Sequence, residues 1–142
     1  MRILGVDFGH KRIGLALSDE SGTIAQPLDY IDGGAIAKVS LELVRLCAEL
    51  KVGKIVVGVP LRLDGTPSEQ TERTLAFIAE LQRATTIPVA QWDERLTSVQ
   101  AERALLEGNV RRRERKQKID KLAAQIMLQS YLDATNPPPA EA

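Results

Sequence analysis

At 142 residues the chain has room for one domain, long enough to bury roughly 68–70% of its unfolded surface and to hold a core without disulfides or metal staples. Nineteen basic side chains balance nineteen acidic ones, and a single cysteine excludes a disulfide framework or a cysteine-rich zinc site. No apolar run approaches the ~18 residues of a membrane span, and Met1-Arg2 passes straight into a strand pattern, so a cytoplasmic protein with no membrane partner is expected.

Residues 2–8, RILGVDF, are rich in β-forming side chains. Gly9-His10-Lys11 makes a turn into a second strand over 12–18, and Asp19-Glu20-Ser21-Gly22 turns the chain into a third over about 23–31. Pro27 marks that third strand as an edge or a bulge. The period then changes. Ile36, Val39, Leu43, Leu46 and Leu50 form one face of a helix over 35–50, and Cys47 lies on it, where a buried, reduced thiol is expected. Residues 54–59 are a continuous apolar run suited to a strand covered on both faces.

Residues 60–65 read as loop, and Thr66-Pro67-Ser68-Glu69 combines an N-cap, a proline at the first helical position and a capping-box Glu before a helix over about 67–83. Residues 88–92 are the fifth strand, and Thr97-Ser98-Val99-Gln100 has capping-box spacing for a helix stopping at Gly108. The segment RRRERKQK at 111–118 links this to a last helix over about 119–133, whose middle has almost no polar face and is therefore expected to be buried. A single domain over 1–133 and a disordered, proline-rich tail over 134–142 follow. Three strands joined by tight turns, then alternating helix and strand, predict an α/β fold with a mixed five-stranded sheet, helices on its faces and the first strand central.

Charge is segregated although it sums to zero. Residues 111–118 hold six basic side chains and one acidic, leaving thirteen basic and eighteen acidic elsewhere. Such a block suits either a nucleic-acid contact, rewarded by counterion release, or a solvated loop. Three acids stand where strands end or helices begin: Asp7, the pair Asp93-Glu94, and Asp120. Ligands of open α/β sheets gather at strand ends, so these carboxylates could converge on a divalent metal.

Asp7 sits in an otherwise apolar strand, where a lone carboxylate costs several kcal/mol unless paired or metal-bound; its bland alternative is capping the Gly9 turn. Of the pair, Glu94 is favoured as ligand over Asp93, Arg95 has ion pairing as its simplest role, and Thr97 an N-cap. Asp120 in a first helical turn is favoured by the macrodipole whatever the function. His10, the sole histidine, occupies an exposed turn and is expected to contact solvent.

Four ordered motifs, GVDFGHKRIGLALSD at 5–19, VVGVPLRLDGTPSEQ at 56–70, DERLTS at 93–98 and KIDKLAAQIMLQSYLD at 118–133, resemble the YqgF/RuvX family of the ribonuclease H-like superfamily. The resemblance departs at His10, where the family usually has a small or acidic residue, and at Arg62, where Asn is common. It implies a ribonuclease H-like sheet with an acidic site formed by Asp7, Glu94 and Asp120, and phosphodiester hydrolysis assisted by Mg²⁺ or Mn²⁺. Maturation of the 5′ end of pre-16S rRNA is the family's suggested role, with pre-rRNA or the small-subunit precursor as partner; resolution of Holliday junctions in branched DNA is the alternative. Expected nucleic-acid contacts are Lys11, Arg12, Arg62 and Arg95 near the strand ends and Arg111, Arg112, Arg113, Arg115, Lys116 and Lys118 in the basic block.

Two other classes compete. An ATP-binding protein of the actin and sugar-kinase type would need a second domain and a second glycine-rich phosphate loop, so no nucleotide cofactor is expected. A non-catalytic RNA-binding assembly factor would bind RNA without metal-dependent cleavage.

Overall fold

The computed structural model describes residues 1–97 and 112–135, of which 112–121 by backbone alone. Five strands form one mixed sheet in the order β3-β2-β1-β4-β5. β1 (Arg2–Phe8), β2 (Arg12–Ser18) and β3 (Ala25–Asp32) make the antiparallel meander. β4 (Val52–Val59) adds to β1 in parallel, and β5 (Val89–Asp93) adds to β4 in parallel. β1 is thus central, and Pro27 lies on an edge strand, where a missing N–H is tolerated.

Alternation along β1 sorts its side chains between two layers. Leu4, Val6 and Phe8 enter the core beneath α1 (Ile36–Leu50) and α2 (Glu69–Ala84), where Phe8 stacks on Phe77 with ring centroids 4.4 Å apart. Ile3 and Gly5 face the last helix, α3 (Arg112–Thr135). Gly5 sets how closely that helix approaches: a Cβ there would lie 2.8 Å from the Leu128 Cβ, closer than packed carbons stand. Cys47 is buried on the α1 face, and burial pushes its thiol up to about 11.

Several boundaries differ from expectation, each for a local reason. The reciprocal cap of α2 is Ser68 with Thr71, not Thr66 with Glu69: Ser68 Oγ accepts the Thr71 N–H at 3.2 Å, and Thr71 Oγ1 accepts the Ser68 N–H at 2.9 Å. Thr66 is occupied elsewhere, because its hydroxyl and its N–H both donate to Asp64, at 2.7 and 3.0 Å. Pro67 bridges to Leu61 in a miniature hairpin. Residues 94–96 form a 3₁₀ turn that local pattern does not announce. Thr97 closes that turn, donating its N–H and hydroxyl to the Glu94 carbonyl.

The largest correction is at α3, which begins at Arg112, so most of the basic block is helix, not linker. Its far end also runs to Thr135, into the stretch expected to be tail. The helix expected after Thr97, Arg111 and the tail from 136 onward lie outside the described residues. Among the described residues no helix is long and apolar enough to cross a membrane.

Two side-chain devices fasten the meander. The Asp19 carboxylate accepts the N–H groups of Thr23 and Ile24 at 2.8 and 2.9 Å and the Ser21 hydroxyl, bonds that hold its pKa well below the usual carboxylate range. At the start of edge strand β3, the Gln129 amide accepts from the Ala25 N–H at 2.9 Å and donates to the Thr23 carbonyl at 2.9 Å, while Gln125 donates to the Ala25 carbonyl at 3.3 Å.

Candidate active site

The C-terminal ends of β1, β4 and β5 lie side by side, and two buried acids stand there. Asp7, on central β1, is 8% exposed, and Glu94, in the turn after β5, is 4% exposed. Asp7 is in the same alternation class as Ile3 and Gly5, so it stands on the α3 face of the sheet. Gly58 on β4 stands on that face too, because Val57 and Val59 point the other way.

Gly58 explains how Glu94 reaches the site. A Cβ on Gly58 would lie 2.8 Å from Glu94 Oε1, 3.1 Å from its Cγ and 3.3 Å from its Cδ, so the carboxylate lies over bare backbone. Val6 pairs with Val57, which puts Asp7 and Gly58 next along adjacent parallel strands, about 4.8 Å apart. The Glu94 carboxylate and Asp7 therefore occupy the same edge and the same face.

Asp93 is differently employed. Its side chain accepts the Arg95 N–H at 2.9 Å and forms a forked ion pair with the Arg95 guanidinium, the closest contact 2.7 Å. Arg95 beside it holds the Asp93 carboxyl below the usual range. Asp93 caps the turn that presents Glu94, and Arg95, expected as a nucleic-acid contact, is tied to that cap.

Asp120 falls on α3, whose Leu128 packs on Gly5, roughly 12 Å further along the helix axis. Because α3 starts at Arg112, Asp120 is not in a first turn, and the macrodipole, which fades within one turn, does not account for it. Its side chain is outside the described set. Among the described residues no group of three His, Cys, Asp or Glu side chains is placed to hold a metal.

The remaining expected contacts are dispersed. Lys11 is exposed on the β1–β2 turn, whereas Arg12 is half-buried with its guanidinium 4.8 Å from the Tyr30 ring centroid. Arg62 is exposed in the loop after β4. Arg112, Arg113, Arg115, Lys116 and Lys118 follow one another along the first turns of α3. His10 is exposed as expected, yet its Nε2 stands 3.5 Å from Nη1 of Arg73, a residue the sequence reading passed over. The available signal was Gln70 and Arg73 at i, i+3 spacing on the helix behind the Arg62 loop.

A mixed sheet of this order, with an acid near the end of its central strand and a second in the turn after β5, is a ribonuclease H-like fold. The family model described as RuvX, Holliday junction resolvase, matches residues 1–134. Among relatives, a chain from Thermoanaerobacter pseudethanolicus is 45% identical over 135 residues, covering 94% of this chain and 97% of that one. Another, from Syntrophomonas wolfei, is 47% identical over 133 residues, covering 94% of each. Both carry the name "Putative pre-16S rRNA nuclease". The chain belongs to the RuvX family.

Solved structures agree at the level of fold. Thermus thermophilus RuvC in complex with Holliday junction substrate superposes with a TM-score of 0.59 at 13% identity, covering 96% of each chain. The fowlpox virus Holliday junction resolvase gives 0.56 at 13% identity, covering 94% of this chain and 99% of that one.

Proposed function

We propose that this chain is a divalent-metal-dependent nuclease that hydrolyses phosphodiester bonds in the pre-16S rRNA or its small-subunit precursor, with Asp7, Glu94 and Asp120 as its carboxylates. The observation that carries this reading is the Glu94 carboxylate lying over Gly58, on the face and edge where Asp7 stands near the end of its apolar strand. Two acids on one face at neighbouring strand ends offer a set of oxygen donors from which a divalent cation can be held.

The donor set fits Mg²⁺ or Mn²⁺, since both acids offer hard oxygens and histidine and cysteine are absent from the cleft. Such an ion would act as a Lewis acid, activating water and steadying the leaving oxygen. The chain's own part is placement. Asp7 is fixed by the central strand, Glu94 by the 3₁₀ turn that Asp93, Arg95 and Thr97 close, and Asp120 by the helix that Leu128 seats on Gly5. The basic turns of α3 just before Asp120 would gather phosphate beside these acids.

The decisive experiment sets a labelled small-subunit rRNA precursor fragment beside a four-way DNA junction, with Mg²⁺ or Mn²⁺, for wild type and Asp7→Asn. Metal-dependent trimming of the RNA, lost in Asp7→Asn, is the expected result. The family description and the resolvase-like fold favour a second reading, and paired symmetric cuts in the junction would establish it instead. RNA binding without cleavage by either metal would make the chain an assembly factor.

A further inference from the structure

On the α2 side of the same strand ends lies a second cleft, of about 500 Å³, lined by His10, Arg62, Ser68, Glu69, Gln70 and Arg73. We propose that His10, Arg62 and Arg73 form a phosphate-binding notch that anchors the nucleic-acid strand a few nucleotides from the scissile bond. The inference rests on the nuclease reading for what strand it holds, but not for its own chemistry.

Two guanidinium groups and an imidazole border one cleft against a single acid, Glu69. His10 Nε2 and Arg73 Nη1 are 3.5 Å apart, and among the described residues neither Arg62 nor Arg73 makes an ion pair. The two guanidinium groups outnumber the one carboxylate of the cleft, Glu69, and an anion seated between them is attracted by both. A phosphate suits the notch because several of its oxygens can accept from different donors at once, and arginine's planar fork favours such contacts.

The notch is held in place before any ligand arrives. Arg62 is gripped by its miniature hairpin, its N–H donating to the Thr66 carbonyl at 3.0 Å and its carbonyl accepting the Gly65 N–H at 2.8 Å. Gln70 Nε2 donates to the Phe8 carbonyl at 2.6 Å, tying the first turn of α2 to the residue after Asp7. The Arg73 guanidinium sits 5.9 Å from the Phe8 ring centroid. His10 is three residues beyond Asp7 in sequence, so their Cα atoms are at most about 11 Å apart. One strand passing over the ends of β1 and β4 can therefore touch both the notch and the carboxylates.

The test measures binding of labelled single-stranded RNA, with a 5′-hydroxyl or a 5′-phosphate, by anisotropy across a salt series in EDTA, where nothing is cut. Wild type, Arg62→Ala, Arg73→Ala, their double variant and Asp7→Asn are compared. Each arginine variant should weaken binding about 10-fold at low salt. The double variant should lower the log–log salt slope by about 0.7, the value of one phosphate on a single strand, and not by twice that, since both arginines hold the same group.

Loss with both RNAs identifies an internal phosphodiester, and loss confined to the 5′-phosphorylated RNA identifies a terminal one; either supports the notch. Unchanged affinity and slope in the double variant with both RNAs overturn it. Arg62 is exposed, so Arg62→Ala carries the test even if Arg73→Ala disturbs packing on Phe8. The two readings fail separately: a wild type that never cleaves but loses RNA with the arginines refutes only the nuclease, and normal binding by the double variant of a cleaving enzyme refutes only the notch.

Discussion

Replacing Gly58 by Ala tests the site without removing a single polar group. The added methyl would stand 2.8 Å from Glu94 Oε1, about 0.6 Å short of an ordinary carbon–oxygen contact near 3.4 Å. The 3.1 Å approach to Glu94 Cγ means that the whole side chain must shift, not just its tip. Being 4% exposed, Glu94 has little room to move sideways. Overpacking of this size costs about 1–3 kcal/mol, and a displacement approaching 1 Å at a reacting centre can cost up to ~100-fold in rate. Under the proposed nuclease reading, Gly58→Ala should therefore remain folded, lose roughly 10–100-fold in kcat on the rRNA precursor, and need more Mg²⁺ for half-maximal rate. Urea unfolding supplies the internal control. The destabilisation seen in Gly58→Ala should shrink to a few tenths of a kcal/mol when Glu94→Ala removes the group it strikes, a coupling expected only of touching residues. Full turnover by Gly58→Ala, or the same loss of stability in both backgrounds, would refute the placement of Glu94 over Gly58.

Other expectations follow from the same geometry. Cys47, with its thiol pushed up to about 11, should react with a thiol reagent at pH 8 orders of magnitude more slowly in the native protein than in urea; equal rates would contradict its burial. Leu43→Ala, at a fully buried α1 position, should cost about 2–5 kcal/mol in urea unfolding, and a loss under 1 kcal/mol would contradict the packing of α1 on the sheet. Because the Asp93 carboxyl is held below its ordinary value, the stability it contributes is present above the unfolded-state value near 3.9 and disappears as pH falls through the folded-state value. Asp93→Asn should accordingly be less stable than wild type at pH 7, with the two converging in acid; a gap that widens on acidification would be the wrong sign. Replacing Arg111, Arg112 and Arg113 by Ala should weaken RNA binding most at low salt and lower the salt slope by up to about 0.7 per lost contact, while an unaltered slope would leave the segment a solvated helix end.

Much of the fold is legible in local pattern. The apolar runs of β1 and β4 mark strands covered on both sides, the meander announces itself through its turns, and Pro27 points to an edge. Asp7 is legible too, because an acid amid Ile, Leu, Val and Phe has few inexpensive explanations. What pattern misses depends on residues far apart in sequence. Nothing local separates Glu94 from Asp93; the distinction arises because Arg95 claims Asp93 while the bare backbone of Gly58 receives Glu94. The start of α3 was missed for another reason. The charge of RRRERKQK suggests a linker or a nucleic-acid contact, whereas Arg, Lys, Glu and Gln are all good helix formers whose propensity favours the helix from 112 onward. Arg73 becomes noticeable only once the 61–67 hairpin brings Arg62 beside it.

The glutamines of α3 that bind Thr23 and Ala25 also govern the order in which the molecule can be completed. They occupy backbone groups at the rim of β3, where an unoccupied edge would offer itself to strands of other molecules. These stoppers come from about 100 residues downstream, as does Leu128, the lid on Gly5. During synthesis the early meander must therefore wait, half-covered and open-edged, until α3 has left the ribosome. A nascent fragment ending before α3 is the species most exposed to aggregation and most in need of a chaperone.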